Sequence, residues 1–252
     1  MSDTFHWCRT VFFLIPTISA YTIVLGSLSV LSSLRPAGSG SFAHGCARLW
    51  SWLILATTGV EVEVHGLERL KSKTTYIFVS NHQSIYDIPV IFWSLPCQLR
   101  IIAKESLGRI PFLGWHLRRA GHLLVDRQSP DRGRILGQAS QLARDGISLI
   151  VFPEGTRSRD GQLGRFKAGS FLLALEADLP LVPVTVIGTC SVMRKGQLSV
   201  RPGHVRLVVH DPLQPRDEAG HTVTDARQLA EQVREIIGET VAKYGESCGA
   251  EL

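Results

Sequence analysis

His82 and Asp87 stand five residues apart in Asn81-His82-Gln83-Ser84-Ile85-Tyr86-Asp87, a polar segment between the apolar runs Tyr76 to Ser80 and Ile88 to Trp93. A neutral imidazole accepts a proton on one ring nitrogen while the other donates, so a carboxylate on the donor side fixes the tautomer and stabilises the imidazolium. These two residue types therefore read as a general base and its orienting acid. In an unbroken helix a spacing of five turns the side chains apart. The pairing requires His82 in the turn before a helix, folded back, with Asp87 in or near the first turn. A structural reading competes, because Ser84-x-x-Asp87 before an apolar run is also a capping pattern. Pro89 weighs against Ser84 as the cap, since it would then fall at the fifth helical position, where its missing N–H is felt.

A second constellation follows the strand-like run Ile147 to Phe152: Pro153-Glu154-Gly155-Thr156-Arg157-Ser158-Arg159. Such a loop places backbone N–H groups, hydroxyls and guanidinium forks at the carboxyl end of a strand, where ligands bind in open α/β sheets. Arginine there grips a phosphate or carboxylate bidentately. Glu154, beside those arginines, reads as an orienting salt-bridge partner rather than an independent base. Plain surface loops also carry Gly-Thr-Arg turns, so the loop gains meaning from its pairing with His82 and Asp87 on another strand-to-helix turn.

The elements that must position these groups are legible as alternation. Val60 to Val64 alternates strictly, as an edge or half-exposed strand should. Tyr76 to Val79, Leu99 to Ala103, His122 to Val125, Ile147 to Phe152, Leu181 to Ile187 and Val205 to Val209 are short apolar runs separated by helix-compatible segments. The predicted fold is α/β, a mixed, mostly parallel sheet covered by helices. An amphipathic helix is expected from Thr222 to Tyr244, opened by a capping box at Thr222 to Asp225.

Ahead of this domain, Val11 to Leu34 is a run of 24 residues without a charge, about 36 Å as a helix and long enough for a ~30 Å hydrocarbon core. A second apolar stretch, Leu49 to Val60, carries Trp50 and Trp52, and no acidic residue lies between Asp3 and Glu61. Residues 1–58 are read as membrane-anchoring helices, either one span plus an interfacial helix or a re-entrant hairpin, and 59–252 as the α/β domain. A secretory signal peptide fits less well, because the run is too long and lacks a clear cleavage site. A buried soluble helix is the alternative.

The 252 residues carry a formal charge of +5, and residues 98–134 alone hold eight basic against three acidic residues. A local basic field fits an anionic ligand or anionic headgroups. DNA or RNA binding is disfavoured, because stacking aromatics are not interleaved with these residues. The five cysteines are scattered without C-x-x-C, which indicates neither a disulfide framework nor a zinc site.

The two polar blocks resemble those of the 1-acylglycerol-3-phosphate O-acyltransferases of the glycerolipid acyltransferase superfamily. The N-H-x-x-x-x-D block stands at Asn81 to Asp87 and the F-P-E-G-T-R-S block at Phe152 to Ser158. Gly121 to Arg127 and Leu181 to Val184 resemble two weaker blocks, and Lys104 matches a lysine the family uses near phosphate. The resemblance covers about Val62 to His210. It implies that His82, oriented by Asp87, is general base on the free hydroxyl of lysophosphatidic acid, which attacks the thioester of acyl-CoA or acyl-carrier protein. It assigns Arg157 to the glycerol phosphate with Lys104 and Arg127 in support, Glu154, Gly155 and Thr156 to the substrate cradle, and Asn81 and Ser158 to supporting roles. No cofactor and no metal are expected. Membrane lipids are the implied surroundings, at the cytoplasmic face of a bacterial inner membrane.

Other acceptors remain open on the motifs alone: glycerol-3-phosphate, another lysophospholipid or a lyso-ornithine lipid. A lipid esterase built on Ser84 is disfavoured by the lack of a G-x-S-x-G elbow. A non-catalytic lipid-binding protein is disfavoured by the intact His82, Asp87, Glu154 and Arg157.

Overall fold

The computed structural model describes residues 3–32, 40–126, 129, 131–215 and 225–244. Chain order gives helix α1 (Asp3–Ser32), helix α2 (Ser41–Thr58), β1 (Val60–His65), β2 (Ile77–Ser80), α3 (Asp87–Ser94), β3 (Leu99–Lys104), α4 (Leu113–Arg119) and β4 (Leu123–Val125). It continues with α5 (Arg132–Arg144), β5 (Ser148–Val151), α6 (Gly169–Glu176), β6 (Leu181–Ile187), the one-turn helix α7 (Thr189–Val192), β7 (Gly203–Val209) and α8 (Ala226–Tyr244).

The strands form a seven-stranded sheet in the order β1-β7-β6-β2-β5-β3-β4. Every pairing is parallel except β6 with β7. The runs read from sequence are these seven strands, and the alternating β1 is an edge. In the central strands successive side chains leave on opposite faces, as the pleat demands. Phe78 and Ile150 join one core, with Leu55, Val90, Ile91 and Leu99. Ile77, Val79, Leu149 and Val151 join the other, with Phe171, Leu229, Val233 and Ile237. One face is thus covered by α3 and the α1–α2 hairpin, and the other by α5, α6 and α8. Parallel neighbours need long crossovers, and these crossovers bring the turns after β2, β5 and β6 to the same edge of the sheet.

The capping box expected at the start of the last helix lies largely outside the described residues, but Asp225 caps α8, accepting from the N–H groups of Arg227 (2.6 Å) and Gln228 (2.8 Å). Cys190, at the buried start of α7, is disulfide-bonded, a pairing that the scattered cysteine spacing did not indicate. The basic stretch is also not one surface. Arg100 is 2% exposed and donates to the carbonyls of Leu99 (2.8 Å) and Gly40 (3.4 Å), tying β3 to the start of α2.

Helix α1 is the one described helix long and apolar enough to cross a membrane. It nevertheless lies against the body along its length. Asp3 pairs with Arg201, Thr10 Oγ1 accepts from Val200 N at 2.9 Å, and Arg9 donates to Thr58 O at 2.8 Å. Farther along, Tyr21 meets Thr57 at 3.1 Å, Trp50 donates to Thr22 at 3.0 Å, and Ser29 meets His116 of α4 at 3.0 Å. The outward face keeps Phe12, Phe13, Val24 and Leu31 more than half exposed.

Candidate active site

Helix α3 begins at Asp87, two residues later than a Ser84 cap would have it, so Pro89 falls in the first turn, where no intrahelical N–H partner is lost. This removes the conflict in the sequence and leaves His82 in the preceding turn, folded back. His82 Nδ1 donates to Asp87 Oδ2 at 2.7 Å. The same oxygen accepts from the backbone N–H groups of Gln83 (2.7 Å) and Ser84 (3.0 Å), while Oδ1 accepts from the Thr189 hydroxyl. Asp87 and Thr189 are fully buried. Four bonds therefore fix the carboxylate, and Nδ1–H donation leaves Nε2 of His82 as the basic nitrogen. Base pairing and capping are both carried by one side chain: Asp87 reaches back to Ser84 N as a cap would.

The second loop holds the histidine from below. Glu154 Oε1 accepts from His82 N at 2.8 Å and Oε2 from Gly164 N at 3.1 Å. Glu154 thus holds the His82 turn through backbone amides, not through the arginine salt bridge that was expected. Burial raises its carboxyl pKa above the ordinary value. Ser158 N donates to His82 O at 2.8 Å, and the His82 ring stacks on Phe152 with centroids 4.2 Å apart. Gly155 turns the loop at φ 73°, and a Cβ there would meet Lys167 Nζ at 3.0 Å. Asn81 is 1% exposed and exchanges two 2.8 Å bonds with the backbone of Val186, stapling β2 to β6. Its contacts are positional. Ser84 Oγ is buried, donates to Met193 O at 2.7 Å and accepts from Tyr86 N at 3.3 Å, so it is committed to backbone partners rather than to His82.

A cavity of about 430 Å³ opens beside His82 and runs under the hairpin. Its walls come from α1 (Leu25, Gly26), α2 (Ala47, Trp50), α3 (Ile88, Phe92), β3 (Ile101, Ala103) and α4 (Leu113, Leu117). His116 and His122 also line it, and burial lowers the pKa of both, most strongly His122. The imidazoles are thus held neutral and Arg157, beside the His82 mouth, is the formal charge in the lining. A second cavity of about 820 Å³ lies on the α8 side, lined by residues of the 154–168 loop and by Arg227, Ala230 and Glu231. Arg157 borders both.

Of the remaining expected residues, Gly155, Thr156, Arg157 and Ser158 gather around this loop, whereas Lys104 is exposed at the end of β3 and lines neither cavity. Arg127 lies outside the described residues. Two residues went unread in the sequence. Lys195 Nζ donates to Thr156 Oγ1 (2.9 Å) and Arg157 O (2.7 Å), holding the loop's backbone. Thr189 buttresses Asp87 from the end of β6. It follows Gly188, whose φ of 91° and approach to His204 O, 2.4 Å from where a Cβ would be, admit glycine. The signal was a Gly-Thr pair closing an apolar strand, the same pattern as Gly155-Thr156.

Residues 61–187 match the family model described as Acyltransferase. The chain is 32% identical to the 1-acyl-sn-glycerol-3-phosphate acyltransferase of Escherichia coli, over 92% of this chain and 93% of that protein. It belongs to this acyltransferase family. A crystal structure of the 1-acyl-sn-glycerophosphate acyltransferase PlsC from Thermotoga maritima superposes with a TM-score of 0.79 at 26% identity, covering 97% of this chain and 99% of that one. The chloroplastic 1-acyl-sn-glycerol-3-phosphate acyltransferase LPAT1 of Arabidopsis thaliana is 36% identical over 68% of this chain but only 49% of its own length. The chain spans about half the length of such plant relatives. Among the described residues no group of three His, Cys, Asp or Glu could hold a metal.

Proposed function

We propose that the protein transfers a fatty acyl group from a thioester donor to the free hydroxyl of 1-acyl-glycerol-3-phosphate, giving phosphatidic acid. The observation that carries this reading is the placement of His82 Nε2 and Arg157 together at the mouth of an apolar cavity. His82 Nε2 removes the hydroxyl proton as the oxygen attacks the thioester carbonyl. The C–S bond then breaks, and the imidazolium, steadied by Asp87, returns the proton to the departing thiolate. General base catalysis of this kind contributes about 10² to 10⁴-fold. Arg157 is the phosphate ligand, Gly155 and Thr156 shape its cradle, and Glu154, Ser158 and Asn81 hold the two turns in register. Lys104 and Arg127 serve as supporting cations for the phosphate, although Lys104 lines neither cavity.

Residues 1–58 serve as the anchor and 59–252 as the catalytic domain. Helix α1, about 45 Å long at 1.5 Å per residue, meets the body near both ends, at Arg201 and at His116. A bilayer-crossing helix would carry one end away from the body, so the hairpin is seated in one leaflet. The exposed apolar residues are spread accordingly: Phe12 and Leu31 on α1, Phe42 and Trp52 on α2, Trp115 on α4, and Ile85 at the cavity mouth. A site at that level receives its acceptor without drawing an acyl chain into water, at ~0.8 kcal/mol per CH₂. The expected location is the cytoplasmic face of a bacterial inner membrane.

The reading is tested by supplying labelled palmitoyl-CoA with 1-acyl-glycerol-3-phosphate, glycerol-3-phosphate or lysophosphatidylcholine to the purified protein in lipid. Phosphatidic acid should dominate. Equal or greater acylation of either other acceptor would leave the chemistry and overturn the named substrate.

A further inference from the structure

The 820 Å³ cavity on the α8 side is a second binding surface whose charge the acceptor reading leaves unused. Its wall carries Arg157, Arg159, Arg165, Lys167 and Arg227 against Glu154, Asp160 and Glu231. All three acids are already engaged. Glu154 holds His82 N and Gly164 N, Asp160 accepts from Ser158 Oγ and Gln162 N, and Glu231 pairs with Arg234 at 2.9 Å. The side chains of Arg165, Lys167 and Arg227, by contrast, are exposed and make no hydrogen bond or ion pair among the described residues. A concave wall with spare cations and occupied acids is a site for an anion.

Its position says which anion. The cavity and the apolar one share Arg157, and the apolar one reaches His82; one lies toward α8 and the other under the hairpin. A thioester donor has the same two-sided form: an apolar chain on one side of the reacting carbonyl and a phosphate-bearing pantetheine arm on the other. With the carbonyl at His82 Nε2 and the chain under the hairpin, the arm leaves on the α8 side, away from the exposed apolar face of α1. A lipid headgroup fits this cavity less well for that reason.

We propose that Arg165, Lys167 and Arg227 bind the phosphate-bearing arm of the acyl-thioester donor, the chemistry shared by coenzyme A and the prosthetic group of a carrier protein. This rests on the acyl-transfer reading and adds the donor's place in it. Because the three side chains are exposed and carry no internal bonds, replacing them leaves the fold intact, which a thermal melt verifies.

The test compares wild-type full-length protein in lipid with Arg165→Gln/Lys167→Gln/Arg227→Gln, using palmitoyl-CoA, palmitoyl-4′-phosphopantetheine and palmitoyl-pantetheine as donors. Charge-assisted contacts of this kind are worth at least about tenfold together. The KM for palmitoyl-CoA should rise by at least that factor, with kcat and the KM for lysophosphatidic acid unmoved and no difference on palmitoyl-pantetheine. A matching rise for palmitoyl-4′-phosphopantetheine assigns the contact to the shared phosphate; a rise confined to palmitoyl-CoA would place it on the nucleotide phosphates and overturn the shared chemistry. A change in the acceptor KM alone, or an equal loss on palmitoyl-pantetheine, overturns the proposal. Binding of the unreactive S-hexadecyl-CoA, measured by calorimetry, decides the matter without turnover: weaker binding by the triple variant supports the donor site and equal binding refutes it. Absence of phosphatidic acid with every donor would strike the acyl-transfer reading instead.

Discussion

On the hairpin side of the sheet, the cavity beside His82 is walled by Ile88, Phe92, Leu113 and Leu117, with imidazoles kept neutral by burial. On the α8 side the neighbouring cavity is walled by arginines, a lysine and carboxylates. The two meet at Arg157, and His82 lines the apolar one. The sheet thus separates an apolar lining from a charged one, and in the proposed reaction His82 and Asp87 work at the boundary.

The largest effect is expected at the boundary. Asp87→Ala removes the acceptor of His82 Nδ1–H and leaves two backbone N–H groups and the Thr189 hydroxyl unpaired. Turnover should fall by about 10² to 10⁴-fold, and stability by about 1–3 kcal/mol for each buried group left unpaired, read from kcat and a urea midpoint. Thr189→Val removes one of those four bonds and should lower kcat less, leaving KM values in place.

On the apolar side, Gly26 lines the cavity and a Cβ added there meets nothing within 4 Å. Gly26→Phe should therefore fill chain space without straining the fold. Palmitoyl transfer should fall relative to decanoyl transfer, by about 0.8 kcal/mol for each methylene displaced. A uniform loss across chain lengths would separate this cavity from the acyl chain. Phe12→Asp with Phe13→Asp, on the outward face of α1, should weaken sedimentation with vesicles while leaving turnover of short-chain substrates in detergent nearly unchanged.

The smallest effect is on pH dependence. Burial holds His210 down at about 4 and His122 well below its ordinary value of 6.5. Between the folded and unfolded values the unfolded chain binds more protons. Stability is then full above about pH 6.5 and declines as the pH falls toward about 4. Urea midpoints across that range should show the decline, and His210→Gln should flatten it.

Much of this was legible because it rests on local periodicity and residue chemistry. Seven apolar runs became seven strands, and His82 and Asp87 met in the turn their spacing demanded. Less visible was what depends on contacts far along the chain. Thr189 lies 102 residues from Asp87 and Lys195 38 from Arg157, so neither is marked by spacing to its partner. Arg100 looked like surface charge because its partners are backbone carbonyls, one of them 60 residues away at Gly40, and a carbonyl has no residue type to read. The apolar cavity was hidden for the same reason: its walls come from five separate elements. The basic cavity was overlooked because Arg165 and Lys167 gain a neighbour in Arg227 only when α8 packs on the sheet.

The most direct test of the account is acyl transfer from labelled palmitoyl-CoA to lysophosphatidic acid in vesicles, with wild type beside His82→Ala. The account predicts phosphatidic acid that depends on both substrates and falls by about 10² to 10⁴-fold in the variant, at unchanged acceptor KM. Full activity in His82→Ala, or release of free palmitate by wild type at the same rate without acceptor, would contradict it.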